Sequence, residues 1–175
     1  RVVHASAGVL QLNNANTYGG GTIVTNGGAV HIGNNSALGT GVVTLAGSGI
    51  AAANGIRTIA NAINLAGDAS VGGAGFDLAF SGPVNVSSGS RTVTYSNSTT
   101  WNGVIGGSGS LAFSAASPVT VTLANTNTFS GGAIVNSNAI IRIISAGSSV
   151  TNTTTVLGGA LGTGTLTLND GATIA

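Results

Sequence analysis

A nine-residue segment occurs twice in this chain: Asn16-Thr17-Tyr18-Gly19-Gly20-Gly21-Thr22-Ile23-Val24 is echoed by Asn127-Thr128-Phe129-Ser130-Gly131-Gly132-Ala133-Ile134-Val135, the copies starting at positions 16 and 127, an offset of 111. A second pair follows. Ala37-Leu38-Gly39-Thr40-Gly41-Val42-Val43-Thr44-Leu45 matches Ala160-Leu161-Gly162-Thr163-Gly164-Thr165-Leu166-Thr167-Leu168 at an offset of 123, so the second copy carries 12 extra residues, expected within Ala146 to Leu157. Self-similarity of this kind marks chains built from stacked units, each of which buries its apolar face only against its neighbours. Residues 1–175 therefore read as one segment of such a stack, with related blocks at about 14–49 and 125–172.

Between the blocks, Val30 and Ile32 align with Ile141 and Ile143, and His31 aligns with Arg142. Apolar residues keep their places while the residue between them stays polar, which is the period-two pattern of a half-buried strand. The same alternation recurs at Val119-Thr120-Val121-Thr122-Leu123, Leu78-Ala79-Phe80, Val84-Asn85-Val86 and Ile63-Asn64-Leu65. Turns such as Asn26-Gly27-Gly28 and Gly106-Gly107-Ser108-Gly109 separate these runs, and no helical crossover stands between them. An antiparallel sandwich or barrel and a parallel β-solenoid both satisfy that pattern; the long repeat favours the solenoid. The expectation is an all-β, right-handed parallel β-helix of about 22 residues per coil, giving roughly eight coils and a length of about 35–40 Å. Val30, Ile32, Val43, Leu45, Val119, Val121, Leu123, Ile141, Ile143, Leu166 and Leu168 are expected inside, with Thr44, Thr120, Thr122 and Thr167 outside.

Charge is nearly absent: 4% of residues, comprising four arginines and three aspartates, against about 25% in ordinary globular domains. At 42% hydrophobic and a formal net charge of +1, the chain lacks the signature of disorder. Four scattered arginines make no basic stripe for a phosphate backbone, so nucleic acid is not an expected partner. Zero cysteines remove disulfides and thiolate metal sites. No apolar run is long enough to span a membrane, and Arg1-Val2-Val3-His4 has no apolar segment behind it, so an export signal is expected to lie outside this sequence.

Asn16 to Val24, followed by Asn34-Asn35-Ser36-Ala37-Leu38-Gly39-Thr40-Gly41, resembles the passenger-associated repeat of bacterial autotransporters. Trp101 to Leu111 is similar to the strand and turn that precede this repeat, and Ile63 to Gly75 to a further recurrent passenger segment. The 12-residue insertion and the lack of lysine depart from the family pattern. The resemblance implies a passenger β-helix exported to the extracellular space or cell surface through an outer-membrane β-barrel translocator. It implies no particular activity, because the motif belongs to the scaffold.

A β-helical polysaccharide lyase or hydrolase needs clustered carboxylates. The inventory is Asp68, Asp77 and Asp170, and the first two lie less than half a coil apart, on different sides. His31 falls at an outward strand position and His4 near a terminus. The expectation is no enzyme, no cofactor and no metal. A binding role would centre on Arg91, Tyr95 and Trp101, a cation and two aromatics fit to stack on a sugar, with Arg57 and Arg142 as further anion or glycan contacts. Asn34, Asn85, Asn97 and Asn152 head N-x-S/T triplets of the kind an Asn-rich chain generates by chance.

The first reading is thus a fibre, stalk or surface-layer scaffold; the second is an adhesin module for glycan or a host surface. Val2-Val3 and Ala172-Thr173-Ile174-Ala175 read as strands without a polar cap, so the stack is expected to continue end to end, through the same polypeptide or through self-association.

Overall fold

The computed structural model describes residues 1–145, 150–151, 155–156 and 159–175. Among them there is no helix. The chain winds as a parallel β-solenoid of about seven turns. Three sheets form its walls. The backbone meets them in the order first, second, third, the third contributing strands from Arg57 onward and the first as far as Gly107.

The first sheet has six strands, Val2–His4, Thr22–Thr25, Val43–Ala46, Ile63–Leu65, Val84–Val86 and Ile105–Gly107. The second has eight: Gly8–Leu12, Gly28–Ile32, Ser48–Ala52, Ala69–Val71, Ser90–Tyr95, Ser110–Ala115, Ala133–Val135 and Leu166–Leu168. The third stacks Arg57–Ile59, Leu78–Phe80, Thr99–Trp101, Val119–Leu123, Ala139–Ile143 and Thr173–Ile174. Every pairing within these sheets is parallel. The antiparallel pair Val150–Thr151 with Thr155–Val156 stands apart from them.

Register sets the coil length. Thr22 lies over Val2, Val43 over Thr22, Ile63 over Val43, Val84 over Ile63 and Ile105 over Val84. One coil thus takes about 21 residues, at the short end of the range for stacked repeats and slightly below the expected length of about 22 residues. The turns number about seven, against roughly eight expected, and one step departs from the regular coil, between Ala133–Val135 and Leu166–Leu168 of the second sheet. There Leu166 lies over Ala133, a step of 33. The expected site of the insertion, Ala146 to Leu157, lies mostly outside the described residues, as does Asn152. Eight strands stacked at about 4.8 Å make the second sheet about 34 Å tall.

Inward side chains line up in columns. Thr22, Val43, Ile63, Val84 and Ile105 form one, and Val24, Leu45, Leu65 and Val86 a second, all buried. Such columns come from period-two alternation combined with an unchanging register, so each buried residue packs on its equivalent one rung away. Val30, Ile32, Val119, Val121, Leu123 and Ile141 are buried as expected, while Ile143 and Leu166 pack half-buried against the core. Leu168, expected inside, is not buried. It is 53% exposed, because it stands on the last strand of the second sheet and packs on Val135 from one side only. Thr44, Thr120 and Thr122 face outward and are half-buried, shaded by their neighbours along the column; Thr167 faces outward and is exposed.

Candidate functional site

The three residues expected to form an exposed binding patch do not form one. Tyr95 and Trp101 are each 1% exposed, deep in the core. Along Ser90–Tyr95, Val93 and Tyr95 point inward; along Thr99–Trp101, Thr99 and Trp101 do. Trp101 lies one rung above Phe80, and the two rings stack with centroids 4.1 Å apart and planes at 12°. Its indole Nε1 donates to the Tyr95 hydroxyl at 3.1 Å, which satisfies the polar edge of an otherwise apolar group. Tyr95 in turn faces Phe113 at 6.3 Å. Burial pushes the Tyr95 phenol well above its ordinary range, against a smaller opposite pull from the Trp101 hydrogen bond.

Arg91 shares the strand parity of Val93 and Tyr95, yet stays half-buried at the wall. The coil below is paired from Ala69 to Val93, so the strand overhangs it and Arg91 has no rung beneath. Its guanidinium turns back, donating from Nη2 to the Ser88 carbonyl at 2.6 Å and from Nη1 to the Ser90 carbonyl at 3.0 Å. Arg57 repeats the arrangement, with Nη2 to the Asn54 carbonyl at 2.9 Å and Nη1 to the Ile56 carbonyl at 3.2 Å. Two of the arginines considered as anion contacts therefore clamp the turns that precede their own strands. The shared spacing, Asn54-Gly55-Ile56-Arg57 and Ser88-Gly89-Ser90-Arg91, was the signal available in the sequence. Arg142 is exposed.

The repeated blocks meet across a rung. Asn16 Nδ2 donates to the Ala37 carbonyl at 2.7 Å, and Asn127 Nδ2 donates to the Ala160 carbonyl at 2.6 Å. Thr40 N donates to the Tyr18 carbonyl and Thr163 N to the Phe129 carbonyl, both at 3.0 Å. Gly39 and Gly162 hold φ of 65° and 76°, and a Cβ at either would collide with the same Tyr18 or Phe129 carbonyl. The first block of each copy is thus a seat and the second a plug. Asn127 also accepts from Ile105 N at 2.7 Å, so one buried amide joins three successive rungs. Further side-chain amides bridge rungs at Asn64–Asn85 and Asn136–Asn169.

A shallow groove of about 510 Å³ runs along the first seat, lined by Asn16, Thr17, Asn35, Ser36, Thr40 and Asn61 among others. It offers neutral amides and hydroxyls. Asn61 Nδ2 is committed to the carbonyls of Gly39 and Gly41 at 3.0 and 2.8 Å. Asp68, Asp77 and Asp170 are exposed, and Asp68 Oδ1 accepts from Thr92 N at 2.9 Å. His4 Nε2 lies 3.1 Å from the Gly8 carbonyl, and His31 sits outward between Gln11 and Ala51. Among the described residues, no three His, Cys, Asp or Glu side chains gather where a metal ion could be held. Chemically, the amides and hydroxyls lining the groove can hydrogen-bond. Comparison with protein-family models, with curated proteins and with solved structures finds no match to the chain.

Proposed function

We propose that the chain is a non-enzymatic scaffold segment, a stalk or fibre element, of a secreted or surface-displayed protein of the autotransporter type. The observation that carries this reading is the use made of the repeat motif. In both copies the polar side chain that defines it is spent on the adjoining rung, Asn16 on Ala37 and Asn127 on Ala160. A motif that ties coil to coil extends a rod and performs no chemistry on a ligand. The outward Thr, Ser and Asn and the absence of cysteine suit a chain that crosses an oxidising compartment before folding. On this reading its partners are further coils of the same kind, in the same chain or a second copy, and an outer-membrane β-barrel translocator.

A spacer of this type tolerates loss of a whole coil and not of part of one. Ile63 and Val84 are register partners, so excision of residues 63–83 puts each inward residue over an equivalent position. Placed between an export signal and a translocator barrel, the excised chain is expected to reach the cell surface and to give the β-sheet circular dichroism of the parent. Excision of residues 63–73 breaks the register and should abolish both. Polysaccharide cleavage by the parent that Asp68→Asn or Asp77→Asn eliminates would overturn the reading, as would saturable binding on a glycan array.

A further inference from the structure

Three Asn-Gly pairs occur in the chain, at Asn26-Gly27, Asn54-Gly55 and Asn102-Gly103, and all three asparagines are exposed. Such pairs share a reaction. The backbone nitrogen of the glycine, unshielded by a Cβ, attacks the side-chain Cγ of the asparagine after solvent hydroxide removes its proton. The Cγ–Nδ2 bond breaks, ammonia leaves, and a five-membered succinimide remains. Water then adds to one of its two carbonyls, opening the ring to aspartate or isoaspartate.

The attacking nitrogen decides which pair reacts. Gly27 N donates to the Gly47 carbonyl at 2.7 Å and Gly103 N to the Phe80 carbonyl at 3.2 Å, so each must give up a hydrogen bond between rungs first. Gly55 N donates to no acceptor among the described residues. Asn26 and Asn54 are otherwise matched. Their φ angles are 56° and 58°, and each Nδ2 has one acceptor at 3.2 Å, the Ala5 carbonyl and Asn13 Oδ1 respectively. We propose that Asn54 is the site at which the folded chain deamidates, with water as the only co-reactant.

The product differs from the parent in charge. Arg57 clasps the Asn54 carbonyl, so the new carboxylate arises on a residue whose backbone a cation already holds. The aspartate product takes the formal net charge from +1 to zero. Neutrality favours association between copies. The isoaspartate product lengthens the backbone by one carbon just before Arg57–Ile59 and disturbs its pairing with Leu78–Phe80.

The test is to incubate the folded chain at mildly alkaline pH and follow it by isoelectric focusing and peptide mass mapping. Asn54 is expected to convert about fivefold faster than Asn26 or Asn102, the factor that a hydrogen bond of ordinary net strength imposes. In denaturant the three should convert at comparable rates, and Asn54→Gln should remove the early acidic species from the folded chain. Conversion of Asn26 or Asn102 as fast as Asn54 in the folded chain would overturn the proposal, as would an early acidic species that survives in Asn54→Gln.

Discussion

Asn127→Ala is the sharpest test of the idea that the repeat motif is a fastener between rungs. Asn127 is buried, accepts from Ile105 N at 2.7 Å and donates to the Ala160 carbonyl at 2.6 Å. Removing the amide leaves the Ile105 N–H without its acceptor at the start of a buried strand, a loss of about 1–3 kcal/mol. The bond to Ala160 contributes about 0.5–1.5 kcal/mol more. The expected destabilisation is therefore about 2–4 kcal/mol. Asn16→Ala provides the scale: Asn16 is half-buried and loses only its bonds to the carbonyls of Ala37 and Asn14, so about 0.5–1.5 kcal/mol is expected there. Urea unfolding followed by Trp101 fluorescence measures both, since the indole is buried one rung from Leu123 and reports loss of the core around it. Equal shifts for the two variants would refute the three-rung role of Asn127. A shift below about 0.5 kcal/mol for Asn127→Ala would refute the fastener altogether.

Because burial raises the Tyr95 phenol, the folded chain keeps that proton after the unfolded chain has lost it. Its stability should be undiminished below about pH 10 and fall as pH rises beyond. Tyr95→Phe should flatten that alkaline decline in thermal melts while lowering stability at neutral pH by about 1–3 kcal/mol, since Trp101 Nε1 loses its acceptor. Gly39→Ala combines a left-handed φ with a collision against the Tyr18 carbonyl and should cost at least about 1–3 kcal/mol. Gly19→Ala, whose Cβ would meet only Thr40 Oγ1 at 3.7 Å, should leave the melting temperature near that of the parent.

The architecture was legible because two periods act on the same residues. Alternation placed Val119, Val121 and Leu123 inside and Thr120 and Thr122 outside, and the strand shows that pattern. Where alternation is not visible in the sequence, the cause is size. All of Ser48–Ala52 is buried, including the outward Gly49 and Ala51, because side chains on adjoining rungs close over such small residues. Ala29 and Ser70 flank Gly49 so closely that a Cβ there would press on Ser70 Oγ. Burial in a solenoid depends on the rung above and below as much as on the strand itself, and a single segment does not show those neighbours.

The aromatic core is less legible for a different reason: the same residues fit two patterns. A tryptophan near a tyrosine and an arginine fits a sugar platform, but the parity of Val93 with Tyr95 and of Thr99 with Trp101 directs both rings inward. The coil step says the same. Ile59, Phe80, Trp101 and Leu123 follow one another at intervals of one coil and make a single inward column, with the two large rings stacked at its middle. In a neighbouring column Tyr95 bonds to Trp101, with Ala115 directly over it and Val71 under it. Ala115 is buried on the rung over Tyr95, so a bulkier residue there would press on the Tyr95 ring, which an exposed platform would have left free. At the outer wall, amides bridge rungs at Asn64–Asn85 and Asn136–Asn169, and Arg57 and Arg91 clamp the turns before their own strands.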